Sequence, residues 1–422
     1  MGIIGIIFIL GLCFLLSNNR KNINYRTVII GLVLQFLIAF FVLKTSLGQS
    51  LFKSLGAGIQ KILSFAAEGG HFVFGFLTNR PEKLVEILGD GADFVFALTL
   101  IPVLIFVMVL VNILYYWGIM QRIILFLGKG MYKLMHITGA EALSNIASAF
   151  IGQVEAQMLI KPHLKKMSMS QLLASMTGSL ACISGGIMAV YIGMGVPAEY
   201  LLAASFMAAP GALVVSKIVF PEEKKVSPQE DFKLTDENVG VNLIDAIASG
   251  ASTGLKVALN IIAMIIGLIA LIALADYLLG VFGTFLVSYL GVPAQIGALN
   301  IAELSLSGIL GIIFSGFAFL LGVPTNEVIT VGALMGEKLV FNEFIAYMHM
   351  TVLETPLSAK GFIIASFALC GFANFGSIAM QIGGIGELEP SRKQDLAKLG
   401  YKALVCGTLT SYISAAIAGL LL

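Results

Sequence analysis

The chain predicts an all-α integral membrane fold, and three observations carry that expectation. Of its 422 residues 58% are hydrophobic and 12% charged, against about 25% charged in ordinary soluble domains. Apolar runs approaching the roughly 20 residues needed to cross a bilayer recur along almost its whole length. Between them lie apolar segments interrupted by Gly and small polar residues, too broken to span simply and too apolar to be loops.

In chain order, the runs are Ile3 to Leu16, Val28 to Leu43, Phe94 to Trp117, Leu172 to Met194, Tyr200 to Phe220, Val257 to Leu279, Phe362 to Ile385 and Leu399 to Leu422. That is about eight spans, the first two short for the membrane. No basic residue precedes the first run, while Arg20, Lys21 and Arg26 follow it. A cleaved signal peptide carries its positive charge first, so this reads as a retained helix with the Arg20 to Arg26 loop on the cytoplasmic side. Leu51, Phe52, Leu55, Ile59, Ile62, Leu63 and Ala66 recur at helical spacing with Lys53, Gln60 and Lys61 between them. Such a pattern suits a helix lying in the interface, or one packed on the surface of the bundle. Pro221 to Asn238 is the one long polar segment, a solvated loop between two halves.

The broken segments, Leu143 to Leu164 and Phe282 to Met350, fall at matching places in those halves. Gly152-Gln153-Val154-Glu155 in the first is answered by Asn342-Glu343 in the second. Each is followed by a span rich in Gly, Ser or Asn: Gly178, Ser179, Cys182, Ser184, Gly185 and Gly186, then Gly371 to Ser377. Interrupted hydrophobic segments in corresponding positions are the pattern of secondary transporters built from inverted repeats. Irregular backbone at membrane depth is tolerated only where it is buried in protein or lines a cavity. A carboxylate at that depth costs about 2.5 to 3.5 kcal/mol on insertion scales, so Glu155 and Glu343 are functional candidates. The structural alternative is a buried salt bridge, Glu155 with Lys161 and Glu343 with Lys338.

Other chemistries find little support. Net charge is +1, leaving no basic excess for phosphate neutralisation and no expectation of nucleic-acid binding. Cys13, Cys182, Cys370 and Cys406 stand singly, without the spacing of a disulfide framework or zinc site. His71, His136, His163 and His349 are equally scattered. Gly250-Ala251-Ser252-Thr253-Gly254 fits the G-x-S-x-G pattern, but the strand, Asp and His that a nucleophile elbow requires are missing, so a small-residue helix is expected there and no enzyme. No organic cofactor is called for.

Three stretches carry a more specific resemblance. Gly336 to Tyr347 reads G-E-K-L-V-F-N-E-F-I-A-Y, Gly152 to Ala156 reads G-Q-V-E-A, and Gly371 to Ile378 reads G-F-A-N-F-G-S-I. In order and spacing over essentially the whole chain, they resemble the concentrative nucleoside transporter family. The resemblance implies a homotrimer in the bacterial plasma or inner membrane, with two re-entrant hairpins, two unwound helices and elevator-type movement. It divides the chain into N-terminal scaffold helices with an interfacial helix (1–135), the first half of a transport domain (136–220), a polar linker (221–240), an interfacial and a scaffold helix (241–285), the second transport half (286–390) and a C-terminal helix (391–422). It further implies a nucleoside site with Gln153, Val154 and Glu155 toward the base, Ile187 in apolar contact, Phe372 near base and ribose, and Glu343, Asn374 and Ser377 on the ribose hydroxyls. The residues suit that division, since vicinal hydroxyls can be bracketed by a carboxylate and an amide while a base offers an edge and a face.

Two departures bear on specificity. Val154 replaces the family's frequent Thr, removing a hydroxyl from the base side, and Gln157 stands where Pro is usual. Sodium-coupled members place the ion between the first hairpin tip and the following unwound helix, at positions here held by Ser148, Ile151, Cys182 and Ile183. A hard cation seeks oxygen ligands, and a thiol at 182 weakens such a site. The expectation is H+ symport with Glu155 or Glu343 as proton carrier, Na+ being the alternative through Asn145 or Ser184. A channel or sensor on the same fold is the reading from another class.

Overall fold

The computed structural model describes residues 1–75, 77, 95–223, 232, 240–296 and 299–422. The linker expected over 221–240 lies, apart from 221–223, Phe232 and Gly240, outside the described residues. The first membrane helices are α1 (Gly2–Leu15), α2 (Tyr25–Lys44) and α4 (Phe96–Tyr116), with α3 (Ser46–Phe74) between the last two. At 14 residues α1 is roughly 21 Å long, less than the hydrocarbon core. The Arg20 guanidinium donates to the Phe14 and Leu15 carbonyls, closing the helix end that would otherwise leave them unpaired. Helix α3 is capped by the Thr45 hydroxyl and buries Gly48, Phe52, Gly56, Ala66 and Gly70, while Leu51, Leu55 and Ile62 stay exposed. One face is therefore packed on the bundle and another is free for lipid.

The amphipathic helix α5 (Ile119–Met135), which the hydrophobic runs did not separate, buries Met120, Ile124, Gly128, Met131 and Met135 at near four-residue steps. After it the chain folds into a hairpin, α6 (Gly139–Ser148) turning back as the short α7 (Glu155–Leu159) and α8 (Lys161–Leu164). A broken helix follows, α9 (Met169–Ala181) and α10 (Gly185–Gly193), and then the unbroken α11 (Ala198–Val219).

The second half repeats the order. Helix α12 (Leu243–Leu290) is one continuous 48-residue element, so the interfacial and scaffold helices expected over 241–285 are a single rod. A two-residue antiparallel pair, β1 (Gln295–Ile296) with β2 (Leu299–Asn300), sets Gln295 opposite Asn300. Then come α13 (Leu306–Leu321), a hairpin of α14 (Val328–Val340) and α15 (Glu343–Thr351), a broken helix of α16 (Ala359–Leu369) and α17 (Phe375–Leu388), and α18 (Lys393–Leu421). The run from Phe362 to Ile385 is thus two helices separated at 370–374.

Burial separates the helices into two kinds. In their most apolar stretches α11 is 89% buried and α18 83%, whereas α4 is 17% and α12 11%. Helices α9, α11, α16 and α18 make the packed centre; α4 and α12 form a peripheral pair. Those two approach through Gly250 and Gly254, where a Cβ would meet the Val109 and Ile105 backbone at 2.7 and 2.6 Å. The segment with the nucleophile-elbow spacing is therefore a G-x-x-x-G contact, which in lipid draws helices together by close backbone approach.

At the centre the two breaks cross. The Phe372 N–H donates to the Cys182 carbonyl at 3.3 Å, and Gly371, with φ +125°, lies where a Cβ would come within 2.6 Å of the Ala181 carbonyl oxygen. Only glycine holds that backbone region without strain. Gly371→Ala is expected to cost about 2 to 3 kcal/mol and to lower the melting temperature of the purified protein in detergent. An unchanged melting curve would refute the tight crossing.

Candidate substrate and coupling site

Both candidate carboxylates occupy the first position of a helix in a hairpin: Glu155 begins α7 and Glu343 begins α15. Asn342, the N-cap of α15, accepts from the Ile345 N–H at 2.9 Å. The helix start faces its unpaired N–H groups and the positive end of its dipole toward a negative charge there. The breaks are capped in the same chemistry. Ser184 accepts from the Ile187 N–H at 3.4 Å, and Asn374 from the Ser377 N–H at 2.8 Å.

Glu343 is buried, 5% exposed. Its Oε1 accepts from the Tyr191 hydroxyl at 2.9 Å and its Oε2 from the Asn374 amide at 3.3 Å. Lys338 is not its partner. That ammonium donates to the carbonyls of Ala368 (2.8 Å) and Cys370 (3.4 Å) and to the Ser411 hydroxyl (3.1 Å), closing the C-terminal end of α16. Among the described residues the ion pairs are Lys217 with Glu141 and Glu222, His349 with Glu337, and Arg392 with Asp395. The salt-bridge alternative for Glu155 and Glu343 accordingly fails, since neither lysine pairs with them.

Glu343 and Asn374 meet directly, and Ser377 adjoins them through its N–H, which donates to Asn374 Oδ1. The Ser377 hydroxyl is buried without a hydrogen-bond partner among the described residues. Across the centre the first hairpin tip leans on α17: the Gln153 amide makes only a weak contact to the Met380 sulfur at 3.7 Å, and Val154 fills the space over Gly384. Gln153 Oε1 has no hydrogen-bond partner among the described residues. Glu155 is exposed at the tip, its carboxylate folded over Gly152, which adopts φ +122°. Ile187 and Phe372 are half-buried.

The candidate cation positions are largely engaged with protein. The Ser148 hydroxyl donates to the Ser144 carbonyl at 2.7 Å and lies 3.0 Å from Ser179 Oγ. Cys182 presents its thiol to the Ser205 carbonyl at 3.9 Å and its own carbonyl to Phe372. Ile183 is buried and Ile151 half-buried. Beside them is an arrangement that the motifs did not disclose. Ser144 and Ser148 on α6 face Ser175 and Ser179 on α9, each pair four residues apart and hence on one face. Gln157 joins them, donating to Ser144 Oγ (3.0 Å) and Ser179 Oγ (2.7 Å) and accepting from Ser175 Oγ (2.5 Å). The serine spacing in two apolar helices is the available signal, and in sequence Gln157 marks only a departure from the family's usual Pro. Tyr191 carried no polar-motif signal at all.

Comparison with known proteins places this architecture. Residues 4–77 match "Na+ dependent nucleoside transporter N-terminus", 97–198 match "Nucleoside recognition", and 200–419 match "Na+ dependent nucleoside transporter C-terminus". The chain belongs to the concentrative nucleoside transporter family. It is a multi-pass cell-membrane transporter and not an enzyme. It is 41% identical over 420 residues to "Uncharacterized transporter YutK" of Bacillus subtilis, covering 99% of this chain and 98% of the relative. To "Nucleoside permease NupC" of Helicobacter pylori it is 38% identical over 423 residues, covering 99% and 96%. The structure of CNTnw in an inward-facing substrate-bound state superposes with a TM-score of 0.89 at 37% identity, covering 100% of this chain and 98% of that one.

The Gln157 cluster generates a stability prediction for this family member. Gln157→Leu removes its hydrogen bonds to Ser144, Ser175 and Ser179, whose hydroxyls keep only serine partners, at about 0.5 to 1.5 kcal/mol for each bond lost. Purified Gln157→Leu should melt several degrees lower; wild-type stability would show that the cluster ties nothing.

Proposed function

We propose that the protein takes up nucleosides across the cell membrane by symport with a cation, H+ in preference to Na+. The observation that carries this reading is Glu343, a buried carboxylate at a helix start, held by Tyr191 and Asn374 and paired with no lysine. Its remaining lone pairs suit ribose hydroxyls, a carboxylate offering about four acceptor sites. Asn374 and Ser377 complete the ribose side, the Ser377 hydroxyl being the donor still unspent. Gln153 and Glu155 face the base edge, Val154 and Ile187 provide apolar contact, and Phe372 packs near base and ribose. Val154, lacking a hydroxyl, removes one hydrogen bond that a pyrimidine preference could use.

Proton coupling rests on Ser148 and Cys182. The hydroxyl is committed to Ser144 and Ser179, and a thiol is a poor ligand for a hard cation, so Glu155 or Glu343 carries the proton. A second reading, Na+ coupling, is favoured by Asn145, whose buried Oδ1 accepts no hydrogen bond among the described residues, and by the name of the matched family. In either case the segments 136–220 and 286–390 act as the transport body and the remaining helices as its scaffold and ends. The exposed apolar flank of α12, with Ile266, Leu271, Leu274 and Leu278, supports assembly as a homotrimer around which the body moves elevator-fashion.

Glu343→Gln should lower uridine uptake roughly 10- to 100-fold, the worth of one hydrogen bond to a charged group, with folding intact; wild-type uptake would sink the ribose assignment. In proteoliposomes given separate Na+ and pH gradients, labelled uridine, cytidine, adenosine or inosine should accumulate with the pH gradient alone and be abolished by a protonophore. Accumulation that requires Na+ at fixed pH would select the second reading.

A further inference from the structure

We propose that Tyr191 is the positioning residue that orients the Glu343 carboxylate and thereby sets how strictly the site requires ribose hydroxyls. The proposal rests on the reading of Glu343 as a ribose ligand, and it assigns a role to a side chain outside the three motif stretches. Tyr191 belongs to α10, the distal part of the first broken helix, whereas Glu343 opens the second helix of the other half's hairpin. Its phenol is fully buried and donates to Oε1 at 2.9 Å.

The ring itself has little freedom. Tyr347 lies against it with centroids 4.5 Å apart, tilted by 34°, and Phe344 stands at 5.9 Å. Tyr347 is in turn anchored by its hydroxyl, which donates to the Ser366 carbonyl at 2.6 Å. A phenol held by packing on this scale projects its O–H in one direction. With Asn374 holding Oε2 from α17, the carboxylate is fixed from both halves, and only its remaining lone-pair directions are offered to a ligand. Preorganisation of this kind favours a ligand whose hydroxyls meet those directions and gives less to one that lacks a hydroxyl. A carboxylate held by Asn374 alone would turn about its side-chain torsions and accept from hydroxyls in several placements.

Tyr191→Phe removes the O–H and retains the ring packing. Uptake in proteoliposomes would be measured for uridine, 2′-deoxyuridine and 3′-deoxyuridine, with KM and maximal rate normalised to folded protein. The expected result is a KM for uridine raised roughly tenfold, a maximal rate per folded molecule near that of the parent, and a narrowed preference for uridine over the deoxy analogues. Unchanged KM and unchanged discrimination would overturn the inference. So would a fall in maximal rate alone, because that is what a purely structural residue gives. Should Tyr191→Phe not fold, trifluorotyrosine incorporated at position 191 retains the shape and makes the hydroxyl a stronger donor; uridine KM must then move, and its constancy overturns the proposal. Glu343→Gln, measured in parallel, separates the two readings. If it transports uridine with parental KM, the ribose assignment falls and takes this one with it. If it loses uptake while Tyr191→Phe behaves as the parent, only the role of Tyr191 is refuted.

Discussion

The crossing of the two broken helices is the constraint on which the rest of the molecule depends. Breaking a helix at membrane depth frees backbone groups that lipid cannot satisfy. Here each break helps to satisfy the other. The Phe372 N–H finds the Cys182 carbonyl, and the approach is close because residue 371 is Gly. Lys338 removes the remaining debt at the C-terminal end of α16 by donating to the Ala368 and Cys370 carbonyls. A lysine placed there acts as a helix C-terminal cation buried in protein, favourable to the dipole and saturating acceptors at once.

From the crossing follows an exchange between halves. The first hairpin tip rests on α17 of the second half through Val154 and Gly384, while Tyr191 of the first half reaches Glu343 of the second. Farther out, Arg392 at the start of α18 donates to the Leu164, Lys165 and Met167 carbonyls at the end of the first hairpin. A third tie links hairpin and bundle through charge: Lys217 on α11 lies 2.5 Å from Glu141 of α6 and 3.1 Å from Glu222. Each hairpin is thus held by the helices of both repeats, so the groups that meet a solute belong to one body rather than to two.

Much of this was legible along the chain. Hydrophobic content set the membrane class, and the interruptions marked both hairpins and both breaks, because Gly, Ser and Asn in an apolar run are what a helix end requires. That Asn342 and Asn374 cap the helices after them is a finding of the structure. The continuous α12 escaped that reading: the family resemblance implied an interfacial and a scaffold helix over 241–285, yet small residues at 246, 250, 254 and 258 keep one face buried without a break. The Gly250 to Gly254 segment likewise has one pattern with two meanings, which the helix running through it decides.

The amino-acid sequence by itself determined that the chain enters a membrane, where its apolar runs are interrupted, and which carboxylates stand beside those interruptions. Those are local matters of hydrophobicity and spacing. Tertiary structure alone decided the partners. Glu343 is held by a tyrosine 152 residues away, Lys338 by carbonyls and a serine on other helices, and Gln157 by serines on α6 and α9. Buried polar groups must be satisfied, but by whom depends on which helices are brought to the crossing, and that is a property of the packed chain.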